Sequence, residues 1–157
     1  MRKNQKGFSL IELLIVVAII LIIAAIAIPN LLRSRMAANE SSAAGSLRTL
    51  NTTLVQYNTT YGTFPTTGLA QLGPGTPATS AAADLIDLML AKGVKSGYTF
   101  SYSAGPVNPA SGSVDLYSIT ALPTTPGTTG QSGFFTDQSG VIRKDTTGTA
   151  SSGSTPI

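Results

Sequence analysis

Apolar positions change period along the chain. From Phe8 to Ile28 they are nearly continuous, with Ser9 and Glu12 as the only polar side chains. Roughly 20 residues at ~1.5 Å rise cross the ~30 Å hydrocarbon layer, so this run predicts a membrane-length helix. From Asn30 to about Tyr61 the composition favours a further helix. Within it Leu47, Leu50, Leu54, Tyr57 and Tyr61 follow 3-4-3-4 spacing and share one face, which should pack on a sheet built from later residues. Ala37, Ala38, Ala43 and Ala44 make the earlier part slim, which suits close helix packing and equally reflects helix propensity, while Gly45 weakens it.

The later elements follow from turn chemistry and from a period of two. Gly62 and Pro65 end the helix. Residues 66–80 read as an irregular loop with a turn at Gly73-Pro74-Gly75. Ser80 is the expected N-cap of a short helix over 81–92, with Leu85, Leu88 and Met89 partly buried and Gly93 as the stop. Tyr98, Phe100 and Tyr102 alternate with Thr99, Ser101 and Ser103, as a half-buried strand does. Val114 to Ala121 predicts a second strand. Phe134 to Thr136 and Val141 to Arg143 predict a hairpin about Asp137-Gln138-Ser139-Gly140. Residues 145–157 are small and polar and read as a flexible tail. The expected fold class is α+β, a long N-terminal helix kinked at Pro29 and packed on a small antiparallel sheet. Pro29 has no N–H to offer the Ala25 carbonyl; it either bounds the helix just beyond the membrane or bends one that continues, and the helix formers Leu31 and Leu32 favour continuation.

Charge places the ends of the apolar run. Arg2, Lys3 and Lys6 precede it, so the N-terminus should stay cytoplasmic and residues from 30 onward should lie outside, although Arg33 and Arg35 reduce the asymmetry. A conventional secretory signal would instead be cut after the apolar run, near Ala24, Ala25 or Ala27, but this run is longer than such a signal and carries Glu12 near its start. A carboxylate here costs about 2.5–3.5 kcal/mol at a helix centre and less near an end. Glu12 therefore either sits at the interface against the positive end of the helix dipole or pairs with a cation.

Lys6-Gly7-Phe8-Ser9-Leu10-Ile11-Glu12, the apolar run and Pro29 together resemble the N-terminus of the type IV pilins and pseudopilins. The resemblance is strong over residues 1–30 and architectural beyond. It implies a leader, residues 1–7, that a prepilin peptidase/N-methyltransferase removes after Gly7, followed by N-methylation of Phe8. It implies assembly through Glu12 and the amine of a neighbouring copy, with 8–29 as the membrane and filament-core half of the helix and 30–144 as the globular domain. The precursor would sit in the bacterial inner membrane, its C-terminal domain periplasmic. The product would be a homo-oligomeric helical filament, either an extracellular type IV pilus or the periplasmic pseudopilus of a type II secretion system, built by the corresponding machinery. Many pilins close their last loop with a disulfide; this chain has no cysteine.

Composition narrows the remaining classes. Of ten Lys and Arg residues, three lie in the leader, and the remaining seven balance seven Asp and Glu, which removes the basis for attraction to nucleic acid. With no histidine and no cysteine, an imidazole base and a thiolate nucleophile or ligand are excluded, and no motif ties Lys92 or Lys95 to a serine. No enzyme activity and no cofactor are expected. Asp84, Asp87, Asp115 and Asp137 lack EF-hand spacing and read as turn formers rather than calcium ligands, so no metal site is assigned. Asn39, Asn51 and Asn58 match the N-x-Ser/Thr pattern but fall on predicted helix and are discounted as glycan acceptors. A tethered periplasmic binding domain would require a ligand pocket that no sequence feature indicates.

Overall fold

The structure, a computed structural model, describes residues 7–157, so the leader residues Arg2, Lys3 and Lys6 lie outside the described residues. The first element, α1, is a single helix over Leu10–Tyr61 with Pro29 inside it. The chain divides into two units, Met1–Arg35 and Met36–Ile157. In the first, the described residues are helix from Leu10 onward, with every apolar side chain from Leu10 to Ile22 exposed.

In the second unit, the Leu47, Leu50, Leu54 and Tyr57 stripe is buried as its spacing predicts, and Tyr61 is partly buried. Ala43 and Ala44 are buried in the same core, which leaves only Ala37 and Ala38 of the small-residue stretch exposed. The stripe packs on an antiparallel sheet of six strands in sequential order: β1 (Val94–Lys95), β2 (Tyr98–Ala104), β3 (Tyr117–Pro123), β4 (Gly133–Asp137), β5 (Arg143–Asp145) and β6 (Thr155–Pro156). Tyr98, Phe100, Ile119, Ala121 and Phe134 fill the sheet side of the core. The alternation read in β2 holds, with Tyr98 and Phe100 buried and Thr99 and Ser101 exposed. The hairpin about Asp137–Gly140 is also present, with Phe134 opposite Lys144 and Phe135 opposite Arg143, but its second strand is Arg143–Asp145 rather than the expected Val141 to Arg143.

Four expectations need correction. The loop over 66–80 contains a 3-10 helix, Leu69–Leu72, with Leu69 and Leu72 buried. The helix expected over 81–92 is only Leu88–Ala91, here α2, and its N-cap is Asp87, whose carboxylate accepts from the Leu90 N–H at 3.0 Å. Ser80 is not a cap. Its carbonyl accepts the Tyr57 hydroxyl at 2.6 Å and the Gln71 amide at 3.1 Å. The N–H groups of Ala83, Asp84, Leu85 and Ile86 bond to carbonyls of Gln71, Leu72 and Gly73, and Asp84 has φ 55°, so no helix can run through them. Ile86 and Leu90 are consequently buried while Leu88 and Met89 face solvent. Gly93 (φ 75°) does end α2, its N–H bonding the Leu90 carbonyl.

The second strand starts at Tyr117 rather than Val114 because both backbone groups of Val114 are engaged by the helix end. Its N–H donates to Thr63 Oγ1 at 2.8 Å and its carbonyl accepts from the Phe64 N–H at 2.9 Å. The tail is not wholly irregular. β6 pairs with β5, the Arg143 guanidinium donates to the Ser154 carbonyl at 3.1 Å, and the Ile157 N–H reaches Ile142.

Candidate functional site

The candidate site is the start of α1. Gly7 and Phe8 lie in exposed chain outside any regular element, immediately before the helix, and Phe8 is 76% exposed. Ser9 occupies the N-cap position: its carbonyl accepts the Leu13 N–H, and its N–H donates to Glu12 Oε2 at 2.9 Å. This is half of a capping box, in which the residue three positions into a helix reaches back to satisfy a free donor at its start. Ser9-x-x-Glu12 before an apolar run is a readable signature of that motif, and sequence reasoning passed over it. The carboxylate thus has a local partner through one oxygen and sits at the positive end of the helix dipole. Its other oxygen accepts no hydrogen bond among the described residues.

Beyond Glu12 the helix has a membrane-length apolar window, none of which is buried within the chain. Leu10 is 79% exposed and Ile26 65%. Past the first turn, and apart from the Ala25 carbonyl that Pro29 leaves without a donor, helical N–H and C=O groups pair within the helix, so chiefly the side chains meet the surroundings, and they match lipid or other apolar helices. Pro29 lies at the end of this run and inside α1.

A second polar centre, also unforeseen, lies in the globular unit. Glu40 Oε1 accepts the backbone N–H groups of Gln131 at 3.1 Å and Ser132 at 3.0 Å, while Oε2 accepts Lys144 Nζ at 3.0 Å. Lys144 Nζ also stands 5.8 Å from the centre of the Phe134 ring. Burial pushes the Glu40 carboxyl up, but the Lys144 ammonium and the two N–H donors outweigh it and hold it below its ordinary value. The group clamps α1 to the sheet rather than forming a reactive site. Of the four carboxylates expected in turns, Asp115 and Asp137 make turn hydrogen bonds, Asp87 caps α2, and Asp84 accepts no hydrogen bond among the described residues. Asp137 accepts from the Ser139 N–H, and Asp115 from Asn108 and Ser113. Among the described residues there is no group of three or more metal-binding side chains. Asn51 is held by Thr136 and the Gly140 carbonyl, and Asn39 by the Thr129 carbonyl, which occupies both amides.

Comparison with known proteins identifies the first of these two centres. Residues 2–28 match the prokaryotic N-terminal methylation motif. Over 39 residues, 25% of this chain and 30% of the relative, the chain is 64% identical to the type IV wide pilus major component PilA4 of Thermus thermophilus. Over 49 residues, 31% of this chain and 22% of the relative, it is 53% identical to the type IV major pilin protein PilA of Myxococcus xanthus. Over 81 residues, 49% of this chain and 53% of the relative, it is 32% identical to the type II secretion system core protein G of Dickeya chrysanthemi. The chain therefore matches about half or less of the length of each of these relatives. No solved structure matches it significantly. The resemblance read from the first thirty residues thus stands: the chain carries the methylation motif, and its relatives are type IV pilins and type II secretion core proteins.

Proposed function

We propose that the chain is a structural subunit of a type IV pilus. It is made as an inner-membrane precursor, cut between Gly7 and Phe8 by a prepilin peptidase, N-methylated at Phe8 and polymerised through the apolar half of α1. The observation that carries this reading is the unburied apolar half of α1, whose single carboxylate, Glu12, lies one turn from the Gly7-Phe8 junction. Cleavage there creates a cationic amine four residues before Glu12. The free oxygen of Glu12 can accept that amine from a neighbouring copy. Only one axial offset satisfies both charges in an apolar surround, so the pair sets register. Pro29 removes one helical hydrogen bond at the membrane boundary and lets α1 bend there during assembly.

A pseudopilin of a type II secretion system is the second reading. It is favoured by the length of the match to core protein G, 81 residues, which runs beyond the N-terminal motif. Shearing intact cells and probing the released and membrane fractions with an antibody to residues 36–157 distinguishes the two. A pilus subunit is recovered in the sheared surface filaments. Recovery of processed chain solely from the cell envelope would reject the pilus reading in favour of the pseudopilus.

A further inference from the structure

Strand register fixes what the sheet presents on the side away from α1. Along β2 the buried side chains are Tyr98 and Phe100, so Thr99, Ser101 and Ser103 point outward. Ser101 stands opposite Thr120 of β3, and Ser103 opposite Ser118. On the far side of β3, Thr120 meets Phe135 of β4, and Ser118 meets Asp137. Phe135 in turn stands opposite Arg143 of β5. Directly opposite side chains are about 5 Å apart. The outward face therefore holds two parallel rows, Ser101-Thr120-Phe135-Arg143 and Ser103-Ser118-Asp137.

The polar groups of these rows are largely unspent. Ser101 and Ser103 are exposed, and the other five side chains are partly exposed. The hydroxyls of Ser101, Ser103, Ser118 and Thr120 make no hydrogen bond among the described residues, although each stands opposite another. Asp137 spends Oδ1 on Ser139 and leaves Oδ2 without a donor among the described residues. Arg143 gives one bond, to the Ser154 carbonyl, and has no acidic partner among the described residues. One side of the rows is walled. A Cβ on Gly133, two residues before Phe135, would collide with the Gly148 carbonyl, so the tail crosses the face there.

Phe135 is the one aromatic among the described strand residues on this face. A pyranose ring has an apolar C–H face rimmed by hydroxyls that both donate and accept. A phenyl ring supplies a platform for that face. Free hydroxyls, an acceptor-only carboxylate and a donor-only guanidinium match the rim. One cation and one anion carry no net charge, which gives nucleic acid or an acidic peptide no hold. A protein partner needs an apolar centre to its interface, and Phe135 is the only apolar side chain in the two rows. An open face holds a single sugar weakly, whereas a polymer laid across it repeats the contacts.

We propose that this face binds a neutral polysaccharide, with one sugar ring stacked on Phe135 and its hydroxyls bonded to Ser101, Thr120, Asp137 and Arg143. The site lies wholly within the unit Met36–Ile157 and does not depend on the filament reading.

Cellulose, a neutral polymer of extended chains, is the probe. The full chain in detergent is sedimented with insoluble cellulose, and the bound fraction is measured against polymer concentration. The unmodified chain should bind, and soluble cellohexaose should displace it. Phe135→Leu keeps an apolar side chain on the sheet, removes the ring, and should weaken binding about tenfold. Ser101→Ala combined with Thr120→Val removes hydroxyls that hold nothing within the chain. It should weaken binding several-fold and leave the urea unfolding midpoint in place. No binding by the unmodified chain, binding that either variant retains in full, or binding abolished by about 0.5 M salt overturns the proposal.

Discussion

Glu40→Ala removes the only side chain among the described residues that holds the Gln131 and Ser132 N–H groups. Ser132 is 4% exposed, so its donor is left in a place water reaches poorly. A buried donor left unpaired costs about 1–3 kcal/mol. The Lys144 partner contributes less. The two side chains are 34% and 18% exposed, and a partly solvated pair is worth about 0–1 kcal/mol. Glu40→Ala should therefore destabilise the globular unit by about 2 kcal/mol, and Lys144→Met by about 0.5 kcal/mol. Glu40→Gln, which keeps an acceptor for the N–H groups, should fall between. Urea unfolding of the full chain in detergent, followed by near-ultraviolet tyrosine dichroism, measures these differences; the chain has five tyrosines and no tryptophan. The pH dependence has a fixed sign. The folded carboxyl lies below its ordinary value of 4.5, so its contribution is present above that value and is lost as pH falls through the folded one. The gap between the unmodified chain and Glu40→Gln should close on going from neutral pH to about pH 3. A Lys144→Met cost equal to or above that of Glu40→Ala, or a gap that widens in acid, would refute the assignment of the clamp's strength to the two backbone donors.

Other consequences follow from the same geometry. Leu50→Ala, at a position with no exposure, should cost about 2–5 kcal/mol, whereas Val55→Ala, 59% exposed, should stay within about 0.5 kcal/mol in the same urea assay. Burial raises the Tyr117 hydroxyl to about 12 and raises those of Tyr57, Tyr98 and Tyr102 as well. Their stabilisation is intact below pH 10 and fades as pH climbs through the raised values, so the 295 nm absorbance of these tyrosines should rise late and together with unfolding. Glu12→Gln should leave membrane accumulation intact and depress filament yield, read by shearing; normal yield would remove the proposed pairing with the Phe8 amine.

The parts of the fold legible in the sequence are those whose signal is local. The Leu47–Tyr57 stripe and the Tyr98–Tyr102 alternation each state one periodicity without competition, and both hold. The helix expected from Ser80 failed because the backbone N–H groups of residues 83–86 had better partners in the 3-10 helix, which no local pattern announces. Val114 left the strand for Thr63 and Phe64 for the same reason. The tail read as irregular because its Gly, Ser and Thr residues carry no periodic pattern, and its pairing to β5 is set by tertiary contacts. At the candidate site, the Gly7-Phe8 junction and Glu12 were legible as a motif, and the Ser9 cap was equally readable but overlooked. Glu40 was not legible, since its partner Lys144 lies 104 residues away.

The most direct test of the central proposal is mass spectrometry of the N-terminal peptide from the assembled fraction. The proposal requires that peptide to begin at Phe8 with one added methyl group on its amine. A peptide that retains Lys6-Gly7, or one that begins after Ala27, would contradict it.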